Sequence, residues 1–198
     1  MSAFLSHKFK LIYPHVPRTG GTSLSEVVER HLGGTDITDG QLEKHQSLHA
    51  LRLAHPKEFA QYTKFAIVRH PLDRIASLHH GFKPRCSFET MIDVLFSWGS
   101  KYNIERYAFY WPCKRWLCSM NGNNLADKVF RLEDGLDAVC EYLRGFGIPI
   151  EDMPHLNASE QETANPKCHD ELRESVSQDT YAKLYELYKW DFETFNYK

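Results

Sequence analysis

The sequence predicts an α/β fold: a single domain over residues 1–198, with a mainly parallel central sheet flanked by helices. Three observations lead there. Short apolar runs bounded by proline, glycine or polar residues alternate with stretches of helical periodicity. The first apolar run passes through a glycine turn directly into a helical pattern. The chain is 42% hydrophobic and 25% charged, ordinary for a globular protein and long enough for one sizeable core. Alternating strands and helices favour parallel pairing, because each helix carries the chain back to the same end of the sheet.

The elements follow in order. FKLIYPHV (Phe9 to Val16) is a short apolar run closed by Pro17 and reads as a buried strand. Ser23 to Leu32 is helical, with Leu24, Val27, Val28 and Leu32 on one face and Gly33-Gly34 as its stop. GGTDITDG is a loop, and Gln41 to Ala54 is a helix ended by Pro56. KFAIVR (Lys64 to Arg69) is a second buried strand, followed by a helix with Pro71 in its first turn, where proline fits. Phe88 to Trp98 is a helix with Met91, Ile92, Leu95 and Phe96 inward. Ile104 to Met120 is aromatic-rich and fits no single pattern. Asp127 to Asp134 is a third strand, Leu136 to Phe146 a helix, Met153 to Lys167 a polar loop and Leu172 to Tyr188 a last helix. The aromatic tail WDFETFNYK is expected to pack against the body.

Composition excludes several classes. The net charge of -2 leaves no overall basic footprint for nucleic acid. No apolar run reaches the length of a membrane span. Met1 to Lys10 is too short and polar for the apolar core of a signal peptide. The five cysteines, an odd number, suit reduced thiols in a cytoplasm. Cys113 and Cys118 could pair or share a metal, but no second pair at metal-ligand spacing accompanies them.

The strongest chemical signal is PRTGGTSL (Pro17 to Leu24). Gly20 and Gly21 allow a tight turn and a close backbone approach to a ligand. Successive N–H groups of such a turn converge on one concavity that suits an anion, and a following helix adds its positive end. Arg18 adds a full charge, and Thr19, Thr22 and Ser23 add hydroxyl donors. The plain alternative is a connector, which has no use for those four residues together. A nucleotide triphosphatase would read GxxxxGK[ST]. Here no lysine lies in the turn, and no strand ends in a convincing magnesium-binding aspartate. A P-loop-type site that holds a phosphate without metal fits better.

A second anion site lies in FAIVRHPLDRIASL (Phe65 to Leu78). Arg69 stands at a strand end and Ser77 about two turns into the next helix, one turn from Arg74 on the same face. For proton transfer near neutral pH a histidine suits. His45, beside Lys44, is the choice, with His49 its rival. His15 is expected to point along its strand, and His70, His79 and His80 to be structural or rim residues. Lys44 and Arg52 could meet an anionic acceptor or simply face solvent. Tyr102, Tyr107, Tyr110, Trp111 and Trp116 could line an acceptor site or pack in the core.

HVPRTGGTSL resembles the 5′-phosphosulfate loop of the sulfotransferases that use 3′-phosphoadenosine 5′-phosphosulfate (PAPS), closest to the carbohydrate group that includes the heparan sulfate O-sulfotransferases. Arg69 and Ser77 resemble that family's 3′-phosphate motif. KHQSLHALRLAHPKEF, VFRLEDGL, PHLNAS and WDFETFNY resemble other stretches more loosely. The resemblance implies PAPS as donor, adenosine 3′,5′-bisphosphate as product, no metal, and a carbohydrate or small-molecule acceptor. It also implies cofactor contacts from Arg18, Thr19, Gly20, Gly21, Thr22, Ser23, Arg69 and Ser77. In the catalytic step, His45 would be the base and Arg18 would stabilise the bridging oxygen. Arg18 stands where the family has lysine; it keeps the charge but is planar and bidentate. A P-loop kinase or hydrolase, and a non-catalytic nucleotide-binding protein on the same fold, stay open as alternatives.

Overall fold

The computed structural model describes residues 3–21, 24, 46–82, 85–99, 109–150 and 174–198. The chain divides into two compact units, one from Met1–Val68 with Cys113–Asn157, the other from Arg69–Pro112 with Ala158–Lys198.

The first unit is built on a four-stranded sheet in the order β1-β2-β3-β4. β2 (Leu11–Tyr13) is parallel to β3 (Thr63–Val68), and β3 is parallel to β4 (Lys128–Arg131). β1 (Phe4–Ser6), which the sequence analysis does not assign, pairs antiparallel with β2 in the register Phe4↔Tyr13. Three residues are too short to show an alternation. β2 is also shorter than the Phe9 to Val16 run, because Pro14 cannot donate to a ladder.

β3 reads as a continuous apolar run because Phe65, Ala66, Ile67 and Val68 are all buried. β4 is followed by a 3-10 turn (Leu132–Asp134), so the expected Asp127 to Asp134 strand stops at Arg131. The helices α1 (Leu48–Ala54), α2 (Pro56–Gln61), α5 (Cys113–Leu117) and α6 (Asp137–Arg144) complete the unit. Ser47 caps α1 by accepting the Ala50 N–H. Pro56 ends α1 as expected and then opens α2 at its first position. The core joins Phe4, Tyr13, Phe65, Ile67 and Phe130 to Val139 and Leu143 of α6.

The second unit contains α3 (Pro71–Phe82), α4 (Phe88–Gly99), α7 (Gln178–Leu187) and α8 (Lys189–Thr194). Leu72, Ile75 and Leu78 of α3 meet Met91, Ile92 and Leu95 of α4, Leu184 of α7, and Tyr188 and Phe192. Phe96, expected inward, is 39% exposed. It lies one residue past Leu95, about 100° around the helix from the buried face. The last helix was expected from Leu172; α7 starts at Gln178, because the Ser177 side chain accepts the Thr180 N–H and caps it there. The aromatic tail packs as expected: Phe192 is buried and Tyr197 lies against the same cluster. Among the described residues, no helix is long and apolar enough to cross a membrane.

Candidate anion-binding site

The chain leaves β2 at Tyr13 and turns at once: the Val16 N–H donates to Pro14 O at 3.1 Å. Thr19 is fully buried, and its hydroxyl donates to Val16 O at 2.9 Å, which ties the turn to the strand end. Arg18 and Gly20 both have left-handed backbone, with φ of 65° and 77°. Gly21 and Leu24 are helical, and the Leu24 N–H donates to Gly20 O at 3.3 Å, a bond of helical spacing.

Each glycine has its own cause. At Gly20 the positive φ suits glycine, and a Cβ would also come within 3.0 Å of Leu132 Cδ1. At Gly21 a Cβ would lie 2.1 Å from His15 Nε2. His15 therefore does not point along the strand, as expected, but turns its buried ring onto the loop, stacked on Tyr13 with centroids 6.4 Å apart. No spacing rule in the sequence signals this contact. Burial pushes the Tyr13 phenol well above its ordinary pKa, with the adjacent Thr19 hydroxyl as a smaller opposing influence. The Thr19 proton is directed at Val16 O, and the Tyr13 hydroxyl has no hydrogen-bond partner among the described residues.

Beyond β4, the Asp134 carboxylate accepts two bonds from Arg131, from Nε at 2.9 Å and Nη2 at 2.7 Å. This hydrogen-bonded pair holds the Asp134 carboxyl below its ordinary pKa. Both oxygens face a guanidinium rather than a cation site. Leu132 and Leu136 from the same segment back Gly20.

In the second unit, Arg69 is half-buried and Ser77 buried on α3. Arg74, one turn before Ser77, is fully buried. Its Nη1 donates to Phe109 O at 3.0 Å and its Nη2 to Trp111 O at 2.6 Å, while the guanidinium lies 5.6 Å from the Tyr188 ring centroid. Arg74 is thus engaged in holding the chain around Phe109 to Trp111.

Thr22, Ser23, Lys44, His45, Tyr102 and Tyr107 lie outside the described residues. His49 stands in the first turn of α1, half-buried, with Nδ1 buried and no hydrogen-bond partner among the described residues. Arg52 is exposed in the last turn of α1. Of the expected aromatic group, Trp116 is buried in the first unit and Tyr110 packs on the core of the second. Cys86, Cys113, Cys118 and Cys140 form no disulfide. An open concavity of about 470 Å³ beside β4 and α6, lined by Lys128, Phe130, Glu141, Tyr142 and Phe146 among others, holds none of the predicted site residues.

The backbone of this turn is of the kind that suits an oxyanion. The loop joins a left-handed turn, helical backbone at Gly21 and a cation at Arg18. The model of the sulfotransferase family matches residues 1–198. Comparison with curated proteins and with solved structures finds no match.

Proposed function

The chain belongs to the sulfotransferase family, and we propose that it moves a sulfuryl group from PAPS to a hydroxyl or amine of a carbohydrate or other small-molecule acceptor. The observation that carries this reading is the turn after β2. Arg18 and Gly20, both left-handed, lead into helical backbone at Gly21. That backbone suits a phosphate oxygen cluster, and it contains no lysine of the triphosphatase kind. Asp134, the first aspartate after β4, is paired with Arg131, which supports the reading without magnesium over a magnesium-assisted kinase.

In this reading the whole chain acts as one P-loop-type catalytic domain. Backbone N–H groups around Gly20 and Gly21, with Thr22 and Ser23, take the 5′-phosphate. Thr19 contributes its backbone, because its hydroxyl secures the turn. Arg69 and Ser77 take the 3′-phosphate. In the transfer, the acceptor oxygen or nitrogen forms a bond to sulfur in line with the breaking bond from sulfur to the bridging oxygen. The acceptor's proton passes to His45, with His49 the rival base, and Arg18 stabilises the charge left on the bridging oxygen. Preorganised charge at the loop supplies the larger part of the rate gain and the histidine a smaller one. Adenosine 3′,5′-bisphosphate leaves, and no metal takes part. The likeness of the HVPRTGGTSL loop to the carbohydrate group favours a sugar acceptor, and the odd cysteine number favours the cytoplasm.

The test is transfer of radiolabelled sulfate from PAPS to a panel of mono- and oligosaccharides in the presence of a chelator. Label should appear on at least one sugar, and His45→Ala should lower the rate by about a hundredfold or more. Label that stays on the nucleotide while ATP is turned over with magnesium would refute the reading.

A further inference from the structure

The residue between Arg69 and Pro71 is a histidine, and it is only 2% exposed. Its carbonyl accepts the Arg74 N–H at 2.9 Å, so His70 occupies the capping position of α3. A strong cap offers a side-chain acceptor to an N–H of the first turn, usually from an oxygen of Ser, Thr, Asp or Asn. Here Nδ1 of the imidazole does so, accepting from the Leu72 N–H at 3.2 Å. Nδ1 accepts only when it carries no proton, which puts the ring proton on Nε2. Nε2 faces Lys198 O at 3.3 Å and donates to it. Phe192 and Tyr197 stand edge-on to the ring, with centroids 5.1 and 5.0 Å away. Two hydrogen bonds and two rings thus select one tautomer and one orientation.

This arrangement controls how the chain enters α3. Pro71 fixes its own φ but brings no N–H, so the first turn is oriented through Leu72 and the residue that caps it. Arg69 precedes that cap by one residue, and Ser77 stands seven residues beyond it on the same rigid helix. We infer that His70 is a positioning residue for the 3′-phosphate: its imidazole, capping α3 and held by Phe192, Tyr197 and Lys198 O, sets the geometry of Arg69 and Ser77. The inference rests on the assignment of those two residues to the 3′-phosphate.

A histidine that merely filled space would behave differently, and two substitutions separate the roles. His70→Asn keeps a cap acceptor but gives up both ring contacts. His70→Phe keeps the ring contacts but removes the cap. The readout is calorimetric titration of the full chain with adenosine 3′,5′-bisphosphate and with adenosine 5′-monophosphate. The ratio of the two affinities measures recognition of the 3′-phosphate. Wild type should discriminate strongly, and Arg69→Ala should lose that preference. His70→Phe should lose about tenfold of it, the scale of one helix cap, at unchanged monophosphate affinity, whereas His70→Asn should stay within about threefold of wild type. Tyr197→Leu loosens the ring without touching the cap and should show an intermediate loss. It carries the test if His70→Phe does not fold. Full discrimination in His70→Phe or Tyr197→Leu, or a greater loss in His70→Asn than in His70→Phe, overturns the positioning role and leaves the nucleotide reading intact. A wild type that does not discriminate overturns both.

Discussion

Gly21→Ala strikes the loop at its tightest contact. The new Cβ would lie 2.1 Å from His15 Nε2 and 2.5 Å from Cδ2. Non-bonded heavy atoms settle at about 3.5–4.0 Å, so the ring or the backbone must retreat by about 1 Å or more. The ring is 6% exposed and stacked on Tyr13, which leaves it little room. Overpacking of this kind costs about 1–3 kcal/mol. His15→Ala alone leaves a void the size of an imidazole, at a cost of about 2–4 kcal/mol by analogy with other large-to-small core changes. In the double variant the alanine methyl enters the vacated space, so the two costs partly cancel. We expect a coupling of about 1–3 kcal/mol, with the double variant more stable than the sum of the singles. Urea unfolding of the four proteins measures it, with a constant m-value as the check on two-state behaviour. Nucleotide affinity should follow the same pattern, lost in Gly21→Ala and partly regained in the double variant. Strict additivity within about 0.5 kcal/mol would refute the claim that His15 dictates glycine at position 21.

Arg18 sits at φ 65°, a conformation that costs an L-residue roughly 1 kcal/mol, partly offset in glycine by a more flexible unfolded chain. Arg18→Gly should therefore be more stable than Arg18→Ala by up to about 1 kcal/mol in urea unfolding. Its affinity for adenosine 3′,5′-bisphosphate should still fall about tenfold or more, since a charge-assisted contact is lost. Arg74→Met removes the donors to the Phe109 and Trp111 carbonyls. It should destabilise the protein by about 3 kcal/mol, with Arg74→Lys recovering only part, because one ammonium cannot reproduce the planar fork. Tyr13→Phe deletes a buried hydroxyl with no partner among the described residues and should be neutral or mildly stabilising at pH 7. The Tyr13 pKa is raised in the fold above its ordinary 10.0. Its contribution is therefore fully present below pH 10 and is lost as pH rises through the raised value, when the unfolded phenol ionises first. Stability curves from pH 8 to 11 should fall less steeply in Tyr13→Phe than in wild type.

Elements with local causes were legible in the sequence. β3 is a continuous apolar run because both of its faces are buried from Phe65 to Val68. α3 announces itself through Pro71, and the turn around Gly20 through its glycines. What stayed hidden depends on residues distant in the chain or on lengths too short to carry a period. β1 has three residues and draws its order from pairing with β2. α2 hides behind Pro56, which stops one helix and starts another. At the site, composition picked out Arg18, Gly20 and Gly21, but not why Gly21 must lack a side chain. The cause is His15, placed by the strand end and visible only once the turn is folded. His70 was expected to be structural or at the rim, but its setting stayed hidden for the same reason: Phe192, Tyr197 and Lys198, which hold its ring, lie more than a hundred residues away.

The account stands on recognition of a doubly phosphorylated adenosine without metal, and thermal shift tests it most directly, with a chelator present for the bisphosphate and magnesium added or omitted for ATP. Adenosine 3′,5′-bisphosphate at about a hundred times its dissociation constant should raise the melting temperature by about 5 °C or more, from about 2.7 kcal/mol of ligand stabilisation. ATP should do little with or without magnesium. A melting temperature that ignores the bisphosphate and rises with magnesium and ATP would contradict the account.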